Sequence, residues 1–231
     1  MSGREIAIGD IHGASASLSL LLSKISPQPT DHIILLGDLI DYGPDSRGVL
    51  DQLMALSART RVTLILGNHE ERLLDCLAAM NQADTDPNPL AGWLTIGGQA
   101  TLRSFGTTEK DPIPEPYLDW LKQGVNYLET DRFIFLHANY ANSYKLDEMP
   151  GHILRWEFLS EKQPPHWSGK TIVVGHTTQT SGQALDLGHL VAIDTGAGLP
   201  EGWLTAFDTT NCIFHATNER GEYRKSKRSR S

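Results

Sequence analysis

The chain has 231 residues, is 39% hydrophobic, carries a formal net charge of −8 and contains two cysteines. That length and apolar content suit one compact domain with a sizeable core, and the acidic balance argues against broad duplex binding, which needs clustered Lys and Arg against the phosphates. Cys76 and Cys212 lie far apart without metal-type spacing, no leader-like segment precedes the first motif, and no run reaches membrane-span length, so a soluble cytoplasmic protein that needs no membrane is expected. The last eleven residues hold five Lys or Arg and one Glu. On composition, the tail 219–231 is expected to be basic and disordered.

In chain order, the apolar runs 5–9, 31–37 and 61–67 predict strands buried on both faces. Helices are predicted between them. The first covers 15–25, with Leu18, Leu21, Leu22 and Ile25 inward, serines available as caps and Pro27 as its stop. A second starts at Asp45 or Ser46 and runs through Leu56, and a third runs from about 69 to 80 with Leu73, Leu74 and Leu77 inward. Residues 81–88 are polar and contain proline, predicting a loop. Short helices forming a cap are expected over 89–124. Beyond it, 125–128 and 132–136 predict a hairpin, and 170–174, 190–194, 203–208 and 212–216 predict further strands. The fold class is therefore α/β, in the α+β sense, with two sheets in a sandwich flanked by helices and a single domain over 1–218.

Five polar signatures stand at the ends of these apolar runs: Gly9-Asp10-Ile11-His12-Gly13, Gly37-Asp38-Leu39-Ile40-Asp41, Gly67-Asn68-His69-Glu70, His137 and Gly175-His176. An aspartate after a strand is ordinarily a turn residue or helix cap, and a lone histidine beside an apolar run is ordinarily a satisfied, partly buried side chain. Capping does not require the same grammar five times. Two divalent ions roughly 3.5–4 Å apart can share a carboxylate, acidify a water and clamp a phosphoryl group. Asp10 and His12, at i and i+2, can face one ion. Asp38 can bridge, and Asn68, His137 and His176 can complete the second. This donor set suits Mn, Fe or Zn.

The first three signatures, the second continuing through Tyr42-Gly43, resemble those of the calcineurin-like metallophosphoesterases, in particular the Ser/Thr phosphoprotein phosphatase branch and its bacterial relatives, with His137 and Gly175-His176-Thr177 matching the remaining histidines. The resemblance spans about residues 5–208. It implies that Asp10 and His12 hold one metal, Asp38 bridges, and Asn68, His137 and His176 hold the other. It also implies that His69 is the general acid and that Asp41 orients it, a neighbouring carboxylate being expected to raise the imidazole pKa. Glu70 is read as a first-turn helix carboxylate.

One position departs from the family pattern. Where an arginine phosphate clamp is normal, this chain has Tyr42, which brings no charge and no bidentate fork. Arg155, in a segment similar to one near the substrate phosphate in bacterial relatives, and Arg47 are the candidate replacements. Trp156 and Trp203 are candidates to border the site and stack on a nucleobase or aromatic leaving group. The expected activity is phosphoester hydrolysis by a metal-bridging hydroxide, with a phosphorylated protein as first substrate and therefore a protein Ser/Thr phosphatase. The alternatives are a dinucleoside polyphosphate hydrolase or phosphodiesterase acting on a nucleotide, and a non-catalytic metal-dependent binding module.

Overall fold

Alternation along the apolar runs divides the interior into three layers. The computed structural model describes residues 3–80, 90–110 and 113–228; the predicted loop 81–88 lies outside the described residues. β1 (Glu5–Ile8), α1 (Ser15–Ile25), β2 (His32–Leu35), α2 (Ser46–Ser57), β3 (Arg61–Leu64) and α3 (Asn68–Met80) come first, and their strands pair in parallel. Short helices α4 (Ala91–Trp93), α5 (Gln99–Phe105) and α6 (Glu115–Leu121) follow, with a π-helical turn, Leu94–Gly98, between the first two. Then come β4 (Tyr127–Glu129), β5 (Phe133–Leu136), α7 (Gly151–Trp156), β6 (Thr171–Val174), β7 (Leu185–Asp186), β8 (Leu190–Ala192), β9 (Asp194–Thr195), β10 (Trp203–Asp208), β11 (Ile213–Thr217) and β12 (Tyr223–Lys227).

The strands form two mixed sheets, as expected. The first is ordered β12-β11-β10-β1-β2-β3, with β9 on β10, and the second β4-β5-β6-β8-β7. Ile6, Ile8, Ile33 and Leu35 face Leu18, Leu21, Leu50, Leu53 and Leu73 of the helices. Their neighbours Ala7, Ile34 and Leu36 turn the other way, onto Phe133, Phe135, Val173 and Val191 of the second sheet. On that sheet's outer face, Ile134, Leu136, Ile172 and Val174 meet Ile153 and Leu154 of α7. Strands covered on both sides read as unbroken apolar runs because each face of the two-residue pleat needs its own partner.

The starts of the first two long helices differ. Asp45 caps α2 by accepting from the Gly48 amide at 2.9 Å. No serine caps α1: its N-cap is Ala14, and Ser15 instead donates to Asp45 at 2.6 Å, tying α1 to α2.

The tail corrects an expectation drawn from composition. Tyr223–Lys227 pair with β11 in antiparallel register, so these five residues of the predicted tail form an edge strand, while 229–231 lie outside the described residues. Its charges find partners that the local sequence does not reveal. Arg228 pairs with Asp186 at 2.9 Å, and the Arg224 guanidinium lies 4.0 Å from the Trp203 ring centroid. Lysines on the open edge are compatible with a strand, since they discourage further pairing. Among the described residues no helix is long and apolar enough to cross a membrane.

Candidate metal centre

The parallel strands of both sheets hand over to loops that converge, bringing the sequence signatures together. The backbone there is forced. Of the non-glycine residues with positive φ, His12, Asp38, Asp41, Tyr42 and His176 all belong to these loops. Such conformations cost energy and persist only where surroundings over-determine them. Gly37, at φ 95°, is required for contact: a Cβ there would lie 2.5 Å from the Gly67 nitrogen and 3.0 Å from His137 Nδ1.

Glu70 supplies much of that determination. It does sit in the first turn of α3, but its fully buried carboxylate reaches across to the loop after β2. It accepts from the amides of Asp38 and Leu39, both at 2.8 Å, and of Gly67 at 3.2 Å. The local reading of a helix-end charge misses this role, because the partners on the Asp38 loop lie about thirty residues away.

Asp38 faces two ways. Its Oδ2 lies 3.6 Å from His12 Nε2 and 3.9 Å from His69 Nε2, while its Oδ1 lies 3.5 Å from His137 Nε2. Two groups of donor atoms result, His12/Asp38/His69 and Asp38/His137/His176, each within 4.8 Å of one another. Asn68 joins the second, its Oδ1 lying 2.9 Å from His137 Nε2 and 3.0 Å from His176 Nδ1. Asp10 is buried beside Asp38 and Asp194, yet it belongs to neither close group, its carboxylate being turned to the His176 amide at 3.0 and 3.2 Å.

The chemistry of these donors fits two divalent ions. His12 and His137 direct Nδ1 at the carbonyls of Ile40 (2.9 Å) and Leu36 (2.7 Å), which fixes the proton on that nitrogen and leaves Nε2 as a lone pair. His137 Nε2 and Asn68 Oδ1 are then two acceptors face to face, an arrangement that a cation reconciles. His176 turns Nδ1 to the same Asn68 oxygen, 3.0 Å away. Burial keeps the imidazoles neutral, lowering His12 to about 4 and His137 well below its ordinary value. Burial and the neighbouring carboxylates push Asp10 and Asp38 well up. Acids crowded in this way gain stability from cations and release protons on binding them.

Asp41 Oδ2 and His69 Nδ1 lie 2.8 Å apart. The electrostatics of the pair differ from the expectation. Burial outweighs the nearby charges and takes His69 down to about 4, while burial, partly offset by hydrogen bonds from Thr101 and Trp93, lifts Asp41 to about 7. Sequence neighbours disclose charge but not desolvation, which dominates here.

The arginine candidates are already engaged. Arg155 donates to Glu71 at 2.5 Å and to Asn126 at 2.8 Å, and Arg47 lies 3.7 Å from Asp51 on an exposed helix face. Tyr42 is 52% exposed, its ring edge-on to His12 and His69 with centroids 5.0 Å away. Trp156 donates to Glu71 at 2.6 Å and Trp203 lies under Arg224. The aromatic that sequence reading missed is Phe158, 66% exposed and stacked on His176 at 4.8 Å. An apolar residue after Trp156-Glu157 carries no local signal of that position.

A family model described as calcineurin-like phosphoesterase matches residues 4–196. The symmetrical bis(5'-nucleosyl)-tetraphosphatase of Janthinobacterium sp. (strain Marseille) is 29% identical over 136 residues, 57% of this chain and 42% of that protein. The chain spans half or less of the length of the tetraphosphatases it matches. Serine/threonine-protein phosphatase 1 of Salmonella typhimurium is 30% identical over 199 residues, covering 82% of this chain and 85% of that protein. Among solved structures, the cold-active protein-tyrosine phosphatase of a psychrophilic Shewanella species shares the fold, with a TM-score of 0.64 at 16% identity over 97% of this chain and 80% of that one.

Proposed function

The chain belongs to the calcineurin-like phosphoesterase family and is a metal-dependent phosphoesterase, and on that premise we propose that it hydrolyses the phosphoric anhydrides of dinucleoside polyphosphates. The observation that carries this reading is Tyr42, a half-exposed ring between His12 and His69 where the family's phosphoprotein phosphatases have a cationic clamp. A terminal monoester dianion gains most from a guanidinium fork. An internal phosphate of a polyphosphate chain carries less charge and departs more readily. Tyr42 beside one donor group and Phe158 beside the other offer two outward rings for nucleobases. The likeness to bis(5'-nucleosyl)-tetraphosphatases supports the same substrate class.

In this reading Asp10, His12, Asp38, Asn68, His137 and His176 hold two divalent ions. Such ions polarise phosphoryl oxygens and acidify a water. His69 gives a proton from Nε2, the nitrogen facing Asp38, to the leaving phosphate oxygen while its Nδ1 takes the proton held by the raised Asp41 carboxyl, so that the buried ring stays neutral and Asp41 is left as the carboxylate that holds it. Glu70 keeps the Asp38 loop in place.

A second reading, a protein Ser/Thr phosphatase, draws support from the Salmonella relative, whose alignment covers most of both chains. Chelator-stripped protein reloaded with Mn, Fe or Zn separates the two. Diadenosine tetraphosphate is expected to be turned over at least about tenfold faster than a phosphoserine peptide by kcat/KM. The opposite ranking would replace the nucleotide reading with the phosphoprotein one. Tyr42→Arg is expected to shift the ratio toward the peptide.

A further inference from the structure

We propose that Trp93 and Thr101, on the two short helices that follow α3, are positioning residues for the proton-donating pair, so that this segment fixes the geometry of the acid as well as covering the site. Both side chains are fully buried and both hold the Asp41 carboxylate. Trp93 Nε1 donates to Oδ2 at 3.0 Å and Oδ1 at 3.1 Å. Thr101 Oγ1 donates to Oδ1 at 2.6 Å. The same hydroxyl oxygen accepts from the Asp41 amide at 2.9 Å and lies 3.0 Å from Ser46 Oγ, which itself accepts from that amide at 3.1 Å. Every polar atom of Asp41 that faces the segment is therefore engaged. The remaining direction at Oδ2 is filled by His69 Nδ1 at 2.8 Å.

A second observation points the same way. Between the helices bearing Trp93 and Thr101, the π-helical turn bends at Ile96 and Gly97. Gly97 has φ 108°, and a Cβ there would lie 2.9 Å from the Tyr42 ring, 3.0 Å from the Tyr42 nitrogen and 3.1 Å from Asp41 Cβ. The turn thus presses backbone against the two strained residues Asp41 and Tyr42, at φ 73° and 58°. Irregular helical turns concentrate where a site needs such contact. Neighbouring Gly98 leaves room for the Trp93 ring, 2.5 Å from the place a Cβ would take.

Hydrogen-bonded positions of this kind act through orientation. A carboxylate free to rotate would let the His69 ring leave the line between Asp41 and the site, and small misplacements of a reacting group cost up to about 100-fold. The loss should fall on substrates that need protonation, since a good leaving group departs without it.

The inference rests on the reading that His69 protonates the leaving group, and the test separates the two. Turnover of metal-loaded protein is measured on aryl phosphates of graded leaving-group acidity, from 4-nitrophenyl to phenyl, for the unaltered chain, His69→Asn, Trp93→Phe, Thr101→Val and Thr101→Ser. Trp93→Phe and Thr101→Val are expected to lower kcat on phenyl phosphate by about 10- to 100-fold, with a smaller loss on the nitrophenyl ester, unchanged metal content and little change in KM. Thr101→Ser, which keeps the hydroxyl, should restore most of it. A uniform loss across the series, or none, while His69→Asn steepens the dependence, overturns the positioning role alone. No steepening in His69→Asn overturns the parent reading. Should Trp93→Phe fold poorly, the Thr101 pair still decides.

Discussion

Two concave regions of this molecule handle charge in opposite ways. Between the edge strands β7 and β12 lies a cavity of about 800 Å³, floored by Phe214 and Ala216 and walled by Arg224 and Arg228. Its two arginines are engaged: Arg228 pairs with Asp186, and Arg224 sits over Trp203. At the metal centre, Asp10, Asp38, Asp41, Glu70 and Asp194 are buried, and among the described residues none of them has a Lys or Arg partner. The arginines of the first region have partners and the buried acids of the second have no cationic one. Uncompensated buried acids mark where a cation and chemistry belong.

The strongest way to break this contrast is Asp38→Asn, which removes the one carboxylate common to both donor groups. Its expected effect exceeds the 10- to 100-fold typical of outer-shell changes, with loss of bound metal measured by stoichiometry alongside turnover. Full metal retention would show that the two groups do not share this residue. Next comes metal removal. Returning Mn to stripped protein at 100 times its Kd should stabilise the fold by about 2.7 kcal/mol, read as a rise in Tm. An unchanged Tm would mean that the acids are not waiting for a cation.

Glu70→Gln tests the same contrast one step out. Gln presents an NH2 where two or three amides donate, so a cost of about 1–3 kcal/mol is expected together with weaker metal binding. Retained Tm and metal affinity would refute the scaffolding role.

The smallest effect belongs to the groove. Burial alone would raise Asp186, but the Arg228 guanidinium and the Gly188 amide outweigh it and hold the carboxyl below its ordinary value. A depressed folded-state pKa contributes stability that is present above the unfolded value, near 3.9, and is lost as pH falls through the folded one. After solvent screening this amounts to at most about 1 kcal/mol. Arg228→Ala should therefore lower stability slightly at pH 7 and flatten its acid limb in urea titrations. An identical pH profile in the variant would mean that the pair is idle.

The candidate donors were legible because each follows an unbroken apolar run, and a run of that kind must end where a buried parallel strand meets a loop. Asp38 as a shared acid follows from that grammar and is consistent with the geometry, whereas the neutrality of His12 and His137 comes from burial that the grammar does not disclose. Other features were hidden for a common reason. The reach of Glu70 to Asp38, the grip of Trp93 and Thr101 on Asp41 and the capture of Arg155 by Glu71 each join segments distant in the chain. Phe158 is told apart from a core aromatic only by where its loop is anchored, through Asn139 Nδ2 donating to its carbonyl at 3.0 Å.

By itself the sequence determined the alternation of strands and helices from β1 through α3 and the residue types offered as candidate donors, because periodicity and residue type are local properties. Tertiary structure alone decided which charges stay unpaired, how far burial moves His69 and Asp41, and which side chains hold the acid in line. Desolvation and hydrogen-bond geometry depend on what packs across the fold, and that is written in no single stretch of the chain.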